Sequence, residues 1–482
     1  MRDDAALFDV DSVRRLETAA RAVLGERVLM ERAGQAAWRV LLDRWPAARC
    51  ITVVAGPGGN GGDGYVLARL ARQSGREVVI VPWREGALAS DAAEQARAAY
   101  ADIAGGACMP ADPWAGADVV VDALFGIGFR GTVDGAAARL IKCINEGSAP
   151  VLSLDVPSGV GGSDDGPAVR AAVTLEFLLP KAALRTGRAL DLTGDLELAS
   201  LDVGATPDAG TAVARHLGPG VLPEWLPPRA RDTHKGTFGR VLCIGGDTGM
   251  GGAILLTAEA ALRAGAGLVH VHSRAAHRDA LLARLPEAMP LPDDAIPDYR
   301  AAGVIAIGPG LGTGDWGRAL FAAARSAGRP LVVDADALTL LADGLGGLPP
   351  DTVLTPHPGE AARLLGCANT DIQADRLGSA AALVERFGCV AVLKGAGTIV
   401  VGPGQLPVII RAGNPGMATG GMGDVLTGVI AALRAQGLAA FDAACCGALL
   451  HASAGDLAAR GGMRGLLPSD LMPCIRSVAN PR

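Results

Sequence analysis

The chain has 482 residues, half of them hydrophobic and 20% charged, with a formal net charge of −6 at pH 7. This composition excludes a disordered chain, and an acidic balance with no basic run argues against nucleic acid as a main partner. No apolar run reaches the roughly 18 residues a membrane span needs, and the length predicts about two to three domains.

The opening MRDDAALFDVDSVRRLE is acidic and has no apolar core, so no secretory signal is expected. Nine cysteines are scattered without a C-x-x-C pair, which fits reduced thiols and a cytoplasmic location. The histidines show no ligand spacing with cysteine, which argues against zinc. Basic charge is carried almost wholly by arginine. The only lysines are Lys142, Lys181, Lys235 and Lys394, so each is a candidate for a task that arginine's planar fork does not suit.

In chain order, helical patterns at 10–24 and 28–44 precede the apolar strand CITVVA, 50–55. The glycine-rich loop GPGGNGGDGY (56–65) leads into the helix GYVLARLARQSG. Strands follow at 77–83, 117–125 and 149–156, with helical stretches 91–104 and 135–146 between them. Short apolar strands separated by helices predict a parallel sheet covered on both faces, a Rossmann-like domain with ligands beyond the strands' carboxyl ends.

Residues 204–234 break this rhythm with prolines and glycines, and 216–234 reads as a linker between a first domain, 1–215, and a second, 235–482. The second half restarts with strand RVLCIGG (240–246) and a helix at 252–265. Strands GLVHVHS, GVIAIGP, PLVVDAD, TVLTP, CVAVLKG and TIVVG continue a second α/β layer.

The first half offers strand-end carboxylates. Asn60 and Asp63 are the only polar side chains in the 56–65 loop, Asp122 closes ADVVVD, and Asp155 closes VLSLD with Ser158 three residues on. Singly, each aspartate could cap the next helix; on one sheet edge they converge on one cleft that suits phosphate, a cation or both.

The second half is richer. In GNPGMATGGMGDVLTG (413–428), glycines deliver Asp424 to a helix start, where bare N–H groups and the dipole make an anion site. A carboxylate in an anion site suits a base beside a phosphate, hence phosphoryl transfer to a hydroxyl. HPGE (357–360), VLKGAGTIV (392–400) and GPGLGTG (308–314) put His357, Glu360, Lys394 and further glycine turns at strand ends.

With GGDTGMGGA (245–253), AALRAGAGLV (260–269), VVDADAL (332–338) and LTPHPGE (354–360), these motifs occur in an order that resembles the NAD(P)H-hydrate dehydratases, ribokinase-like enzymes, over about residues 225–480. The resemblance implies that a nucleotide phosphorylates the hydroxyl of a hydrated nicotinamide cofactor and that loss of phosphate restores the dihydropyridine. It implies Asp424 as base, Lys394, Gly395, Ala396, Gly397, Thr398 and Gly423 around the nucleotide, and Ala253, Gly310 and His357 around the hydrate. Mg2+ with ADP as phosphoryl donor is implied too, with Glu360 as an outer ligand. Met422 and Gly251 depart from the usual pattern, at positions that carry a small hydroxyl residue and a proline.

LMERAGQAA (29–37), with the loops of the first half, resembles the NAD(P)H-hydrate epimerase domain over about residues 8–215. That resemblance implies K+ on Asn60, Asp122 and Ser158. Gly59, Asn60, Gly61, Gly62 and Asp63 with Gly126, Ile127, Gly128, Phe129, Arg130, Gly131 and Thr132 would hold the hydrate, and Asp155 would act on its ring. Gly59 stands where a second asparagine is usual. The expectation is a bifunctional repair enzyme on small-molecule substrates, a homo-oligomer that binds neither membrane nor nucleic acid. Two alternatives stay open: a kinase of a vitamin precursor or sugar, and a first half that only senses ligand or acts as a scaffold.

Overall fold

A computed structural model describes residues 3–84, 86–104, 112–129, 131–161, 166–204, 210–292, 297–344 and 346–481. The chain divides into two compact units, 6–213 and 214–482, the first few residues grouping with the second. The N-terminal strand β1 (Asp4–Leu7) adds to the edge of the second unit's sheet.

In the first unit, strands β2 (Cys50–Ala55), β3 (Glu77–Pro82), β4 (Val119–Ala123), β5 (Val151–Leu154), β6 (Val173–Phe177) and β7 (Asp195–Ala199) form an all-parallel sheet. Their order is β3-β2-β4-β5-β6-β7. Side chains alternate along each strand, so Val53, Val121 and Leu152 enter one core, and Val54, Val120 and Val151 enter the other. Burial on both faces is what makes these strands read as continuous apolar runs. The strand order reverses beside β2, and the loops after β2 and β4 diverge there to leave a crevice.

One expectation is corrected. The stretch 56–65 is a loop only to Gly58, and the helix already starts at Gly59 (Gly59–Gln73). Its glycines are there for close packing. A β-carbon at Gly61 would stand 1.9 Å from the Gly56 carbonyl oxygen, and one at Gly62 would stand 2.5 Å from Met30.

The second unit holds β8 (Ala214–Leu217), β9 (Arg240–Ile244), β10 (Leu268–His272), β11 (Met289–Pro290), β12 (Val304–Ile307), β13 (Leu331–Val333), β14 (Val353–Leu354), β15 (Val390–Leu393), β16 (Ile399–Val401) and β17 (Val408–Ile410). The sheet order is β1-β8-β17-β16-β15-β14-β13-β12-β9-β10-β11. From β11 to β15 every pairing is parallel, and β16 runs antiparallel to both neighbours. The reversal of order here falls between β12 and β10, beside β9.

The stretch expected as a linker carries structure. Strand β8 pairs in parallel with β17, the short helix Leu222–Trp225 follows, and Leu217, Val221 and Leu222 lie in the second core. Pro219 and Pro223 are tolerated because each stands in the first turn of a short helix, where its missing N–H costs nothing.

Helices Gly251–Arg263 and Met422–Ala435 pack against each other over this sheet, and the contact is close enough to require glycine. A β-carbon at Gly428 would stand 2.1 Å from the Thr257 carbonyl oxygen. Gly428→Ala should therefore push the helices apart and destabilise the second unit by about 1–3 kcal/mol, measured as a lower denaturant midpoint for that unit's transition.

Two candidate active sites

The crevice of the first unit is a cavity of about 460 Å³. Of the residues expected around the hydrate, Gly59, Asn60, Asp63, Gly126, Ile127, Gly128, Phe129 and Asp155 line it. Gly61 and Gly62 are buried within the helix and absent from the lining, Gly131 and Thr132 are exposed outside it, and Arg130 lies outside the described residues. Trp83, Phe125 and Phe129 form an aromatic wall, Phe125 stacking on Phe129 with ring centroids 4.3 Å apart.

Asp155 follows β5 with φ at +67°, the left-handed region that a β-carbon disfavours. Its Oδ2 accepts the Ile127 N–H at 2.7 Å, and its Oδ1 stands 2.9 Å from the Lys181 ammonium. Asp63 shares the cavity. Burial, and then the Asp155 charge, push its carboxyl well above the usual range.

Asp122 and Ser158 lie beneath the cavity lining, fully buried. Ser158 Oγ donates to Asp122 Oδ1 at 2.6 Å, Ser158 N–H donates to Oδ2 at 2.9 Å, and Ser153 Oγ also reaches Oδ2 at 2.8 Å. Burial raises the Asp122 carboxyl, against these hydrogen bonds. No cationic side chain pairs with Asp122 among the described residues. Asn60 Nδ2 donates to the Leu154 carbonyl at 3.2 Å, which leaves the buried Asn60 Oδ1 without a partner. A buried carboxylate, a hydroxyl and an orphaned amide oxygen are a donor set for a hard cation.

In the second unit, the expected residues gather at the sheet's carboxyl edge. Gly310, after β12, and Ala253, after β9, meet where the strand order reverses; a β-carbon at Gly310 would stand 3.4 Å from Ala253 Cβ. His357 follows β14 and caps the helix Pro358–Leu365, its Nδ1 accepting the N–H of Gly359 at 3.1 Å and of Glu360 at 3.3 Å. An accepting Nδ1 puts the ring proton on Nε2, so the exposed ring offers a donor. Glu360 accepts the His357 N–H at 2.7 Å, and its carboxylate lies 3.8 Å from the Lys394 ammonium. Burial raises the Glu360 carboxyl, with Lys394 opposing.

Lys394 follows β15 and turns inward. Its Nζ stands 2.7 Å from Asp334 Oδ1, and Thr427 Oγ1 donates to Asp334 Oδ2 at 2.9 Å. Burial opposes both charges. Lys394, with hydrogen bonds, nevertheless holds the Asp334 carboxyl below its ordinary value, and Asp334 and Glu360 hold the Lys394 ammonium above its own. The hairpin turn 394–398 is closed by Thr398 Oγ1, which donates to the Gly395 carbonyl at 3.0 Å. Arg376 lies beneath it, donating to the Lys394 carbonyl at 3.2 Å.

Gly421, at φ +96°, starts the helix Met422–Ala435, with Asp424 in its first turn. A β-carbon at Gly423 would stand 3.0 Å from Lys394 Nζ, so the helix N-terminus rests on the ammonium. A helix N-terminus ordinarily favours an ionised carboxylate. At Asp424 burial wins, helped by the Asp334 charge and opposed by Lys394, and the carboxyl is raised to about 7. That value suits a base working near neutrality.

Sequence reasoning assigned no role to Asp334, Thr427 or Lys181. VVDADAL was in view as a motif, and the scarcity of lysine was the one signal for Lys181.

Residues 241–476 match the family described as NAD(P)H-hydrate dehydratase, and residues 26–183 match the YjeF-related protein N-terminus. The chain is 43% identical to the bifunctional NAD(P)H-hydrate repair enzyme Nnr of Escherichia coli K12, covering 98% of this chain and 93% of that one. The Coxiella burnetii enzyme of the same name is also 43% identical, with coverage of 98% and 99%. Among solved structures, the Bacillus subtilis ADP/ATP-dependent NAD(P)H-hydrate dehydratase co-crystallised with ATP/Mg2+ is 29% identical, with a TM-score of 0.50 over 54% of this chain and 95% of that one. A ribokinase-like superfamily protein from Enterococcus faecalis V583 is 32% identical, with a TM-score of 0.52 over 55% of this chain and 96% of that one.

Proposed function

Because the chain belongs to the family of bifunctional NAD(P)H-hydrate repair enzymes, we propose that its first unit interconverts the two epimers of hydrated NADH or NADPH and its second unit dehydrates one of them. The observation that carries the second activity is Asp424, a carboxyl raised to about 7 at a glycine-built helix N-terminus beside Lys394. Asp424 takes the proton of the substrate's ring hydroxyl. The hydroxyl oxygen forms its bond to the terminal phosphorus of ADP as the bond to AMP breaks. The N–H groups at 421–423 stabilise the charge on the transferring phosphoryl. Loss of phosphate from that carbon and of a proton from its neighbour restores the ring double bond.

In the turn 394–398, Gly395 and Ala396 are exposed to take the nucleotide at the sheet edge, with Ala253, Gly310 and His357 for the hydrate. Glu360, whose oxygens already face His357 and Lys394, offers Mg2+ at most a contact through water. Bound with the nucleotide, Mg2+ would neutralise the polyphosphate.

In the first unit, Asp155 is the acid–base group and the remaining lining residues hold the hydrate. Asn60, Asp122 and Ser158 hold K+, a reading supported by the orphaned Asn60 Oδ1 and by the buried Asp122 carboxylate, which no cationic side chain meets among the described residues. All eight described cysteines are free, which suits a reducing cytoplasm. No helix among the described residues is long and apolar enough to cross a membrane.

The test is recovery of reduced-nicotinamide absorbance from a mixed-epimer NADH hydrate with Mg2+ and ADP, ATP or no nucleotide, in K+ or Na+ buffer. Complete recovery with ADP, slowed after one epimer is consumed when Na+ replaces K+, is the expected result. A stable phosphorylated product without recovered absorbance would favour a kinase instead. Recovery that always stalls at one epimer would leave the first unit as a ligand-binding module.

A further inference from the structure

We propose that Lys181 is a positioning residue for epimerisation: its ammonium fixes the direction of the Asp155 carboxylate from behind the cavity. The inference rests on the reading of Asp155 as the acid–base group. Lys181 is one of four lysines in the chain, and it is 1% exposed. Burying an ammonium so completely is costly, and a lysine in that position needs an anion. The ion pair it makes among the described residues is with Asp155, at 2.9 Å. Its other contacts are the carbonyls of Phe177 at 3.0 Å and Leu179 at 3.4 Å.

The second buried carboxylate nearby does not need this cation. Glu176 is paired with Arg185 at 2.5 Å and takes only the backbone N–H of Lys181, at 2.6 Å. Arg185 and Glu176 thus neutralise each other and pin the Lys181 backbone, which leaves its ammonium for Asp155. Asp155 needs such a hold, since its φ of +67° is one that the chain adopts only when its surroundings enforce it. With Oδ1 on Lys181 and Oδ2 on the Ile127 N–H, the carboxylate cannot rotate. Its remaining lone pairs are thereby set relative to the loop 126–129 that lines the cavity. Lys181 itself is absent from that lining, so it acts through Asp155.

The experiment follows conversion of the pure R hydrate of NADH to the S form by chromatography, using the full chain without nucleotide. Lys181→Met should lower kcat about 100-fold while KM stays within about threefold. Asp155→Asn should do the same. The Asp155→Asn/Lys181→Met double variant, in which a neutral pair replaces the ion pair, should be no slower than the slower single variant. Lys181→Gln, which keeps a donor for the Phe177 carbonyl, should fail as Lys181→Met does. If it does so with hydrate affinity kept, a folding defect is not the cause.

Full activity of Lys181→Met or Lys181→Gln beside an inactive Asp155→Asn overturns the inference and leaves the reading of Asp155 intact. So do single effects that multiply in the double variant, or loss of hydrate affinity in step with kcat. An active Asp155→Asn overturns the reading of Asp155 itself.

Discussion

Asp424→Asn should lower the dehydration rate about 10³-fold and leave epimerisation by the same chain unchanged, because the substitution keeps the shape and removes the proton acceptor. The carboxyl is raised to about 7 by burial and then by the Asp334 charge. A base must be ionised to act, so the dehydration rate should rise with pH through about 7 and level off above it. Rates taken at limiting nucleotide and hydrate across this range would check the sign. A variant that still dehydrates, or a wild-type rate that is flat between pH 6 and 8, would remove Asp424 from the role of base. Epimerisation is the internal control, since it belongs to a separate unit.

Lys394→Met should be the most damaging single change to the second unit. It leaves Asp334, 1% exposed, without its cation. Breaking a buried pair from one side costs about 3–5 kcal/mol, far more than the pair itself adds, because the remaining charge is uncompensated. The Asp334→Asn/Lys394→Met double variant should recover most of that stability, since two neutral groups can share the site. It should not recover dehydration, because the anion site beside Asp424 would lose its cation. Denaturant unfolding with both activity assays would separate the two effects. If the double variant regains activity as well, the ammonium serves only to fold the unit.

Much of the site was readable because its chemistry is local. The 413–428 loop announces itself by glycines that end at one carboxylate, and the structure brings Asp424, Gly423, Lys394, His357, Gly310 and Ala253 to the same sheet edge. The strands β2 to β5, β9, β10 and β12 to β16 were equally plain, since each reads as an apolar run. Most of the missed strands break this pattern, though the short, buried β17 was missed as well. In β6, Glu176 interrupts the run and is tolerated only because Arg185, nine residues on, folds back to neutralise it. Strand β7 carries exposed charge at a sheet edge, and β8 sits among prolines that suggested a linker.

The sequence by itself determined the two α/β halves, the strand ends that bear the aspartates, and the family these motifs belong to. These depend on spacing along the chain, on apolar periodicity and on glycine at the turns. Only the tertiary structure decided which charges are matched. Lys394 with Asp334 and Lys181 with Asp155 lie 60 and 26 residues apart. Pairs at such separations are brought together by sheet order, which no local pattern encodes. The same holds for the charge state of Asp424, since burial and a neighbour 90 residues away set it.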